Sequence, residues 1–264
     1  MTTNVRTLSA ALAAAILAPA LGVSSGREKA PTTGPATRPA DKAFQAFAKK
    51  QSVPTARVPQ VKKAPKIDGI LDPLYKKEAT PLSFRFLAGG QARPKATTTV
   101  YALTTDTDLI VFFNCGSPDM DALLADVRDR DGQVWNDDSV ELFIDPTNKR
   151  APDGYRHIII NSLGTTAEAK GPGGAEDYSW NPKLRVKTKV GRKAWTVEVA
   201  IPLKALVADV KKINRVWAVN FNRMAYLIEG TEDTAWSPTG AASSHVPARF
   251  GCLWMEVGTV DNTK

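Results

Sequence analysis

From residue 97 to residue 257 the chain is cut into eight short runs of alternating or β-branched residues, with Gly, Pro, Asn and Asp between them. The runs are 97–103, 109–115, 139–145, 156–161, 184–190, 195–201, 216–226 and 249–257. Segments of that length form strands whose apolar face must be covered by another sheet. The spacing therefore predicts an all-β chain, an antiparallel β-sandwich of two sheets of jelly-roll or immunoglobulin-like kind. Two connections read as hairpins, Thr105-Asp106-Thr107-Asp108 and Gly191-Arg192-Lys193. Helical periodicity is confined to single turns at 120–126 and 202–206 and to a turn or two around Phe44 and Phe47, and no internal repeat is present.

What precedes the strands has a different texture. Arg6 gives a short positive start, and 8–23 is an apolar run interrupted by Pro19. A bilayer helix needs ~20 apolar residues without a break, whereas a secretory signal needs only ~7–15 followed by small residues. Residues 1–25 therefore read as a cleaved signal peptide, which places the mature chain outside the cell or in the periplasm. Residues 26–60, rich in Pro, Thr, Ala and Lys, read as a disordered basic linker able to contact an anionic surface. One folded domain is expected over 61–260. No later stretch is long and apolar enough to span a membrane.

The net charge of +8 raises the question of nucleic acid. Ten Lys and Arg stand between residues 27 and 66 against only Glu28 and Asp41, and Arg6 adds one more, so 67–264 carries about −1. A duplex-binding face must neutralise several phosphates with clustered cations, and the folded part has none to spare. No nucleic-acid partner is expected.

Common catalytic templates are missing: no Gly-rich phosphate loop, no nucleophile elbow and no zinc-ligand spacing, and two His and two Cys cannot build the usual structural zinc site. Acidic residues do cluster at Asp126, Asp129, Asp131, Asp137, Asp138, Glu141 and Asp145. A glycosidase-like acid and base pair is one reading of them. Yet on a strand over 139–145, Ser139, Glu141 and Phe143 point to one face, and Asp138 and Asp145 stand ~23 Å apart at ~3.3 Å per residue. Asp129-Arg130-Asp131-Gly132 invites an EF-hand comparison that fails, because Val127 replaces the first aspartate and Asp138 stands at the twelfth position. A less regular calcium site using Asp129, Asp131 and Asp145 stays open.

Several segments together carry a resemblance. They are Ile67-Asp68-Gly69-Ile70-Leu71-Asp72, Asp108-Leu109-Ile110-Val111, the eleven residues from Trp135 to Asp145 (WNDDSVELFID), Ile160-Asn161-Ser162-Leu163-Gly164, Trp195-Thr196-Val197-Glu198-Val199-Ala200-Ile201-Pro202 and Pro247-Ala248-Arg249-Phe250-Gly251. In this order they resemble the family 9 carbohydrate-binding modules and their relatives. The resemblance implies a calcium-bearing β-sandwich that holds saccharide units and accompanies secreted polysaccharide-degrading enzymes such as xylanases. The expected role is a non-catalytic module for a polysaccharide or oligosaccharide, with no cofactor for chemistry and at most a structural calcium.

Carried over residue by residue, Trp135 matches a stacking wall, Glu141 a carboxylate that accepts from sugar hydroxyls, and Asn161 a polar contact. Two positions depart from the family pattern. Ile159 stands where an arginine is expected, and Ser243-Ser244-His245 where a second Trp is expected. His245 or Trp236 is then the candidate replacement wall, and Trp180, Trp195 and Trp217 are assigned to the core or sheet cover. Cys115 and Cys252, in an oxidising compartment, are candidates for a disulfide. Two other functions remain open: a glycoside hydrolase using the acidic cluster, and a haem-binding redox sandwich with Met224 and His157 or His245 as axial ligands.

Overall fold

The computed structural model describes residues 39–171 and 176–256. The expected signal at 1–25 and the linker up to residue 38 lie outside the described residues. In chain order the elements are α1 (Pro39–Ala48), β1 (Thr55–Val58), α2 (Pro73–Glu78), β2 (Leu82–Ser83), β3 (Arg85–Phe86), β4 (Thr98–Thr104), β5 (Asp108–Gly116), β6 (Ser139–Asp145), β7 (Arg156–Asn161), β8 (Thr166–Lys170), β9 (Arg185–Val190), β10 (Ala194–Pro202), α3 (Leu203–Leu206), β11 (Val216–Leu227), β12 (Gly230–Ala235) and β13 (Gly251–Met255).

The strands form two sheets. One runs β2-β4-β5-β10-β9; the other runs β1-β13-β11-β6-β7-β8, with β12 pairing the outer half of β11 and the short β3. Both expected hairpins are present, β4–β5 and β9–β10. The pairing is antiparallel except that β1 runs parallel to β13, so the larger sheet is mixed. Between the sheets lie Val140, Leu142, Ile144, Ile158, Ile160, Trp217, Val219 and Phe221 from one side and Val111, Phe113, Trp195, Val197 and Val199 from the other. This is the alternation that period 2 demands.

The outer face of the smaller sheet is also covered, by the segment leading into α2. Asp72 caps that helix by accepting from the Leu74 N–H, with Pro73 at its first position. Beneath it Glu198, fully buried, accepts from the backbone N–H of Asp68 and Gly69 and from the Tyr75 hydroxyl. Gly69 has φ +75°, and a Cβ there would press on the Thr188 backbone at 3.2 Å. The Ile67–Asp72 motif is thus structural: its backbone turn satisfies a buried carboxylate.

Three expectations change here. The fold does not start at Val61: β1 adds to the sheet edge through Thr55 to Val58, and Phe44 and Phe47 of α1 pack their rings on Trp254 at 6.1 and 5.2 Å. Arg57 ties the two together by pairing with Asp41 and Glu256. Residues 39–60 are therefore part of the domain, because two phenylalanines and a β-branched strand edge offer enough apolar surface to order them. The Cys115–Cys252 disulfide is not formed. Cys115 faces the core between the sheets, whereas Cys252 pairs with Ala218 on the outer face of the larger sheet and receives a contact from Arg150 Nη2 at 3.2 Å. Side chains on opposite sides of a sheet cannot meet. Burial pushes the Cys115 thiol up to about 12, leaving it unreactive. Trp236, finally, is a core residue, at 5.9 Å from the Phe221 ring and seated against Gly251 so closely that any Cβ there would collide with it.

Candidate functional site

The outer face of the larger sheet carries the polar side chains. On β6, Glu141 and Phe143 point outward while Val140, Leu142 and Ile144 point into the core. In register with them stand Ile159 and His157 on β7. Met224 on β11 and Asp233 on β12 are paired neighbours. Together they floor a cavity of about 340 Å³.

Loops raise its walls. Trp135, 41% exposed, stands on a 3₁₀ turn (Val134–Asn136). Val134 plugs that turn into a small apolar cluster with Ile159 and Ala167. Tyr178 and Glu176, joined by a hydrogen bond, come from the connection between β8 and β9, and Ser244 and His245 from the loop after β12. A larger hollow of about 570 Å³ lies where residues 60–66 meet α2, but its lining is rich in lysine and has no aromatic plate.

The polar groups are ordered. Glu141 Oε2 lies 2.7 Å from His157 Nε2, and the His157 ring stacks on Phe143 with centroids 4.3 Å apart. His245 Nδ1 lies 2.9 Å from the Tyr155 hydroxyl. Asp233 is held up to about 7, first by burial and then by the charge of Glu141. An aromatic wall, hydroxyls, carboxylates and imidazoles thus converge on one concave surface, a geometry that fits a polyhydroxylated ligand.

Asp233 makes stability pH-dependent. Its folded-state value lies above the usual 3.8, so the folded state keeps a proton that the unfolded chain has released. Stability contributed there is present at low pH and is lost as pH rises from about 4 to about 7. The expected result is that wild type loses unfolding midpoint relative to Asp233→Asn across that window, and runs parallel to it above pH 8. Parallel profiles throughout would contradict the assignment.

Of the residues anticipated from the sequence, Trp135, Glu141 and His245 meet in the cavity, and Trp236 does not. Asn161 does not either. It is fully buried: its Nδ2 donates to the Val127 carbonyl and to Asp137 Oδ2, and its Oδ1 accepts from the Leu163 and Thr165 N–H groups. It is a turn latch with no hydrogen-bonding capacity left for a ligand.

Asp137 and Asp138 of the acidic cluster are likewise structural. Asp137 accepts from the Asp126 and Val127 N–H groups and Asp138 from Leu124 and Tyr226, so the pair pins the loop that carries Trp135. No acid and base pair for glycoside hydrolysis is formed by these two. The calcium candidates do not converge. Asp145 accepts from Thr147 and the Arg150 N–H, Asp131 accepts from the Glu168 N–H and pairs with Arg130, and Asp129 is exposed. The lone pairs of Asp145 and Asp131 face N–H and O–H donors, the opposite of what a cation needs.

Glu176, Tyr178 and Asp233 were not anticipated, and His157 was considered only as an axial haem ligand, not as a saccharide contact. For His157 the signal was available, since Phe143 faces outward and its partner on the neighbouring strand must share that face.

The model of the family described as carbohydrate family 9 binding domain-like matches residues 67–256. The chain belongs to that family. Solved structures share the fold. A family 9 carbohydrate-binding module from Caldicellulosiruptor kristjanssonii in complex with cellotriose has 19% identity and TM-score 0.57, covering 80% of this chain and 97% of that one. The module from the same organism with glucose has 18% identity and TM-score 0.55, covering 78% and 98%. A putative carbohydrate-binding protein from Bacteroides uniformis has 18% identity and TM-score 0.61, covering 78% and 100%. No curated protein matches the chain significantly. Within this family 9 domain the two departures fall in the cavity itself, Ile159 in its floor and Ser244 in its wall. Membership lends nothing to the hydrolase or haem readings. Among the described residues no helix is long and apolar enough to cross a membrane.

Proposed function

We propose that the chain is a non-catalytic carbohydrate-binding module and that the cavity over β6 and β7 holds one saccharide unit. The observation that carries this is the half-exposed Trp135 ring standing beside Glu141, Tyr178 and His245 in one cavity of a family 9 domain. A sugar ring has apolar C–H faces and a hydroxyl rim, so a single aromatic plate with fixed acceptors and donors is what it requires. Neighbours of the same fold carry glucose and cellotriose, which makes glucosyl units the first class to test. Ile159 and Ser244 remove a guanidinium and a second plate, so contact is one-sided and affinity is modest.

Export rests on the apolar run 8–23, and a role in polysaccharide catabolism, on xylan among other chains, rests on the family resemblance. Residues 26–38 are the part of the basic stretch left to contact an anionic surface. Titration calorimetry with glucose, cellotriose and xylo-oligosaccharides is the direct test. Saturable binding of at least one supports the proposal; no heat with any of them and no retention on a polysaccharide column overturns it. Glu141→Gln keeps the shape but removes the charge that strengthens hydroxyl hydrogen bonds, so a loss of roughly tenfold is expected.

A further inference from the structure

The two histidines are the only ones in 264 residues, and both stand in this cavity. Among the described residues, His157, Glu176 and His245 offer ligand atoms that all lie within 4.8 Å of one another. We propose that these three side chains bind a transition-metal dication of the zinc class, in the same cavity as Trp135 but without using its ring.

Three observations support it. The imidazoles are held as metal-bound imidazoles are: one nitrogen of each is engaged, His157 Nε2 by the Glu141 carboxylate and His245 Nδ1 by the Tyr155 hydroxyl. The second ring nitrogen of each has no hydrogen-bond partner among the described residues. A carboxylate behind a histidine fixes the ring and raises its basicity as a ligand.

The cavity is also short of positive charge. Glu141, Glu176 and Asp233 line it, and no Lys or Arg does so among the described residues. A dication offsets that excess.

The ligand set combines one fixed residue with two exposed ones. His157 is clamped between Glu141 and the Phe143 ring, whereas Glu176 and His245 are exposed loop residues. Ligands at ~2.0–2.1 Å from a tetrahedral zinc sit roughly 3.3 Å apart, closer than the 4.8 Å within which the three ligand atoms lie, so Glu176 and His245 shift toward His157 as the ion binds. Two nitrogens and one carboxylate suit zinc, copper or nickel and not calcium or magnesium, which take oxygen. The fourth position opens to the cavity.

The test uses the full chain, stripped with a chelator, and zinc sulfate alone as the probe. Calorimetry is expected to give one zinc per chain, with calcium and magnesium in excess failing to compete. Nitrogen NMR should move both imidazole signals on addition of zinc. His245→Ala and Glu176→Gln, both exposed positions that leave the core intact, should each weaken binding at least tenfold. Wild type that takes up no zinc, or takes it up with affinity unchanged in either variant, overturns the assignment. Because no saccharide is present, the result is independent of the sugar-binding proposal.

Discussion

Arg223→Met is expected to lower the stability of the domain by about 3–5 kcal/mol, read as the loss in unfolding free energy from a denaturant titration. Arg223 lies on the core side of β11, fully buried, and crosses between the sheets. Its Nη1 donates to the carbonyls of Thr97 (3.1 Å) and Gly116 (2.9 Å), where β4 begins and β5 ends, and its guanidinium lies 5.8 Å over the Trp195 ring. Nη2 is 3.9 Å from Asp138 Oδ1, and the charge of Arg223 opposes the rise that burial forces on that carboxyl.

Methionine fills much of the same space but donates nothing. The carbonyls of Thr97 and Gly116 each lose a donor, although that of Thr97 keeps the Gly116 N–H, and Asp138 loses the cation that faces it among the described residues, which is the costly way to break a buried pair. Adding Asp138→Asn to Arg223→Met should recover part of the loss, since the orphaned charge is then removed. A single variant that loses less than about 1 kcal/mol would show that the arginine is dispensable, and a double variant that loses the sum of both singles would show that it does not act through Asp138. Because Asp138 also anchors the loop behind Trp135, ligand affinity should fall with stability in the single variant.

The second large effect is on binding. Trp135→Ala should reduce saccharide affinity by roughly five- to a hundredfold, corresponding to about 1–3 kcal/mol for a desolvated aromatic contact. The ring is 41% exposed, and the turn beneath it is held by buried Val134 and by Asp137, so alanine removes the plate without removing its support. Folding should be unaffected, with an unfolding midpoint close to wild type. Trp135→Phe should restore part of the affinity, because a smaller ring still offers an apolar face. A wild type that binds a glycan with affinity equal to that of Trp135→Ala would place the sugar elsewhere on the domain.

Much of this was legible in the residues themselves. The strand runs, both hairpins and the two-sheet architecture follow from period 2 and turn chemistry, which act over a few residues. The parity of 139–145 is of the same kind: once Leu142 is inward, Glu141 is outward, so a strand carboxylate facing a cavity could be placed without coordinates. The family resemblance added Trp135, whose loop position alone says nothing about what its ring faces.

Other features were decided by contacts between distant parts of the chain. Asn161 has the chemistry of a ligand contact, but Asp137, 24 positions away, and the Val127 carbonyl occupy its amide. Trp236 looks like a cavity wall until β13 brings Gly251 beneath its ring. Residues 39–60 have a linker's composition, yet Trp254 at the other end of the chain gives Phe44 and Phe47 a surface to pack on. Cys115 and Cys252 are each on a strand, and period 2 assigns each a face; only the packing of the sheets shows that one face is the core and the other the outside. Local periodicity determines which side chains share a face, because that is backbone geometry. Which face is buried, and which polar group is already satisfied, depends on what the rest of the chain lays across it.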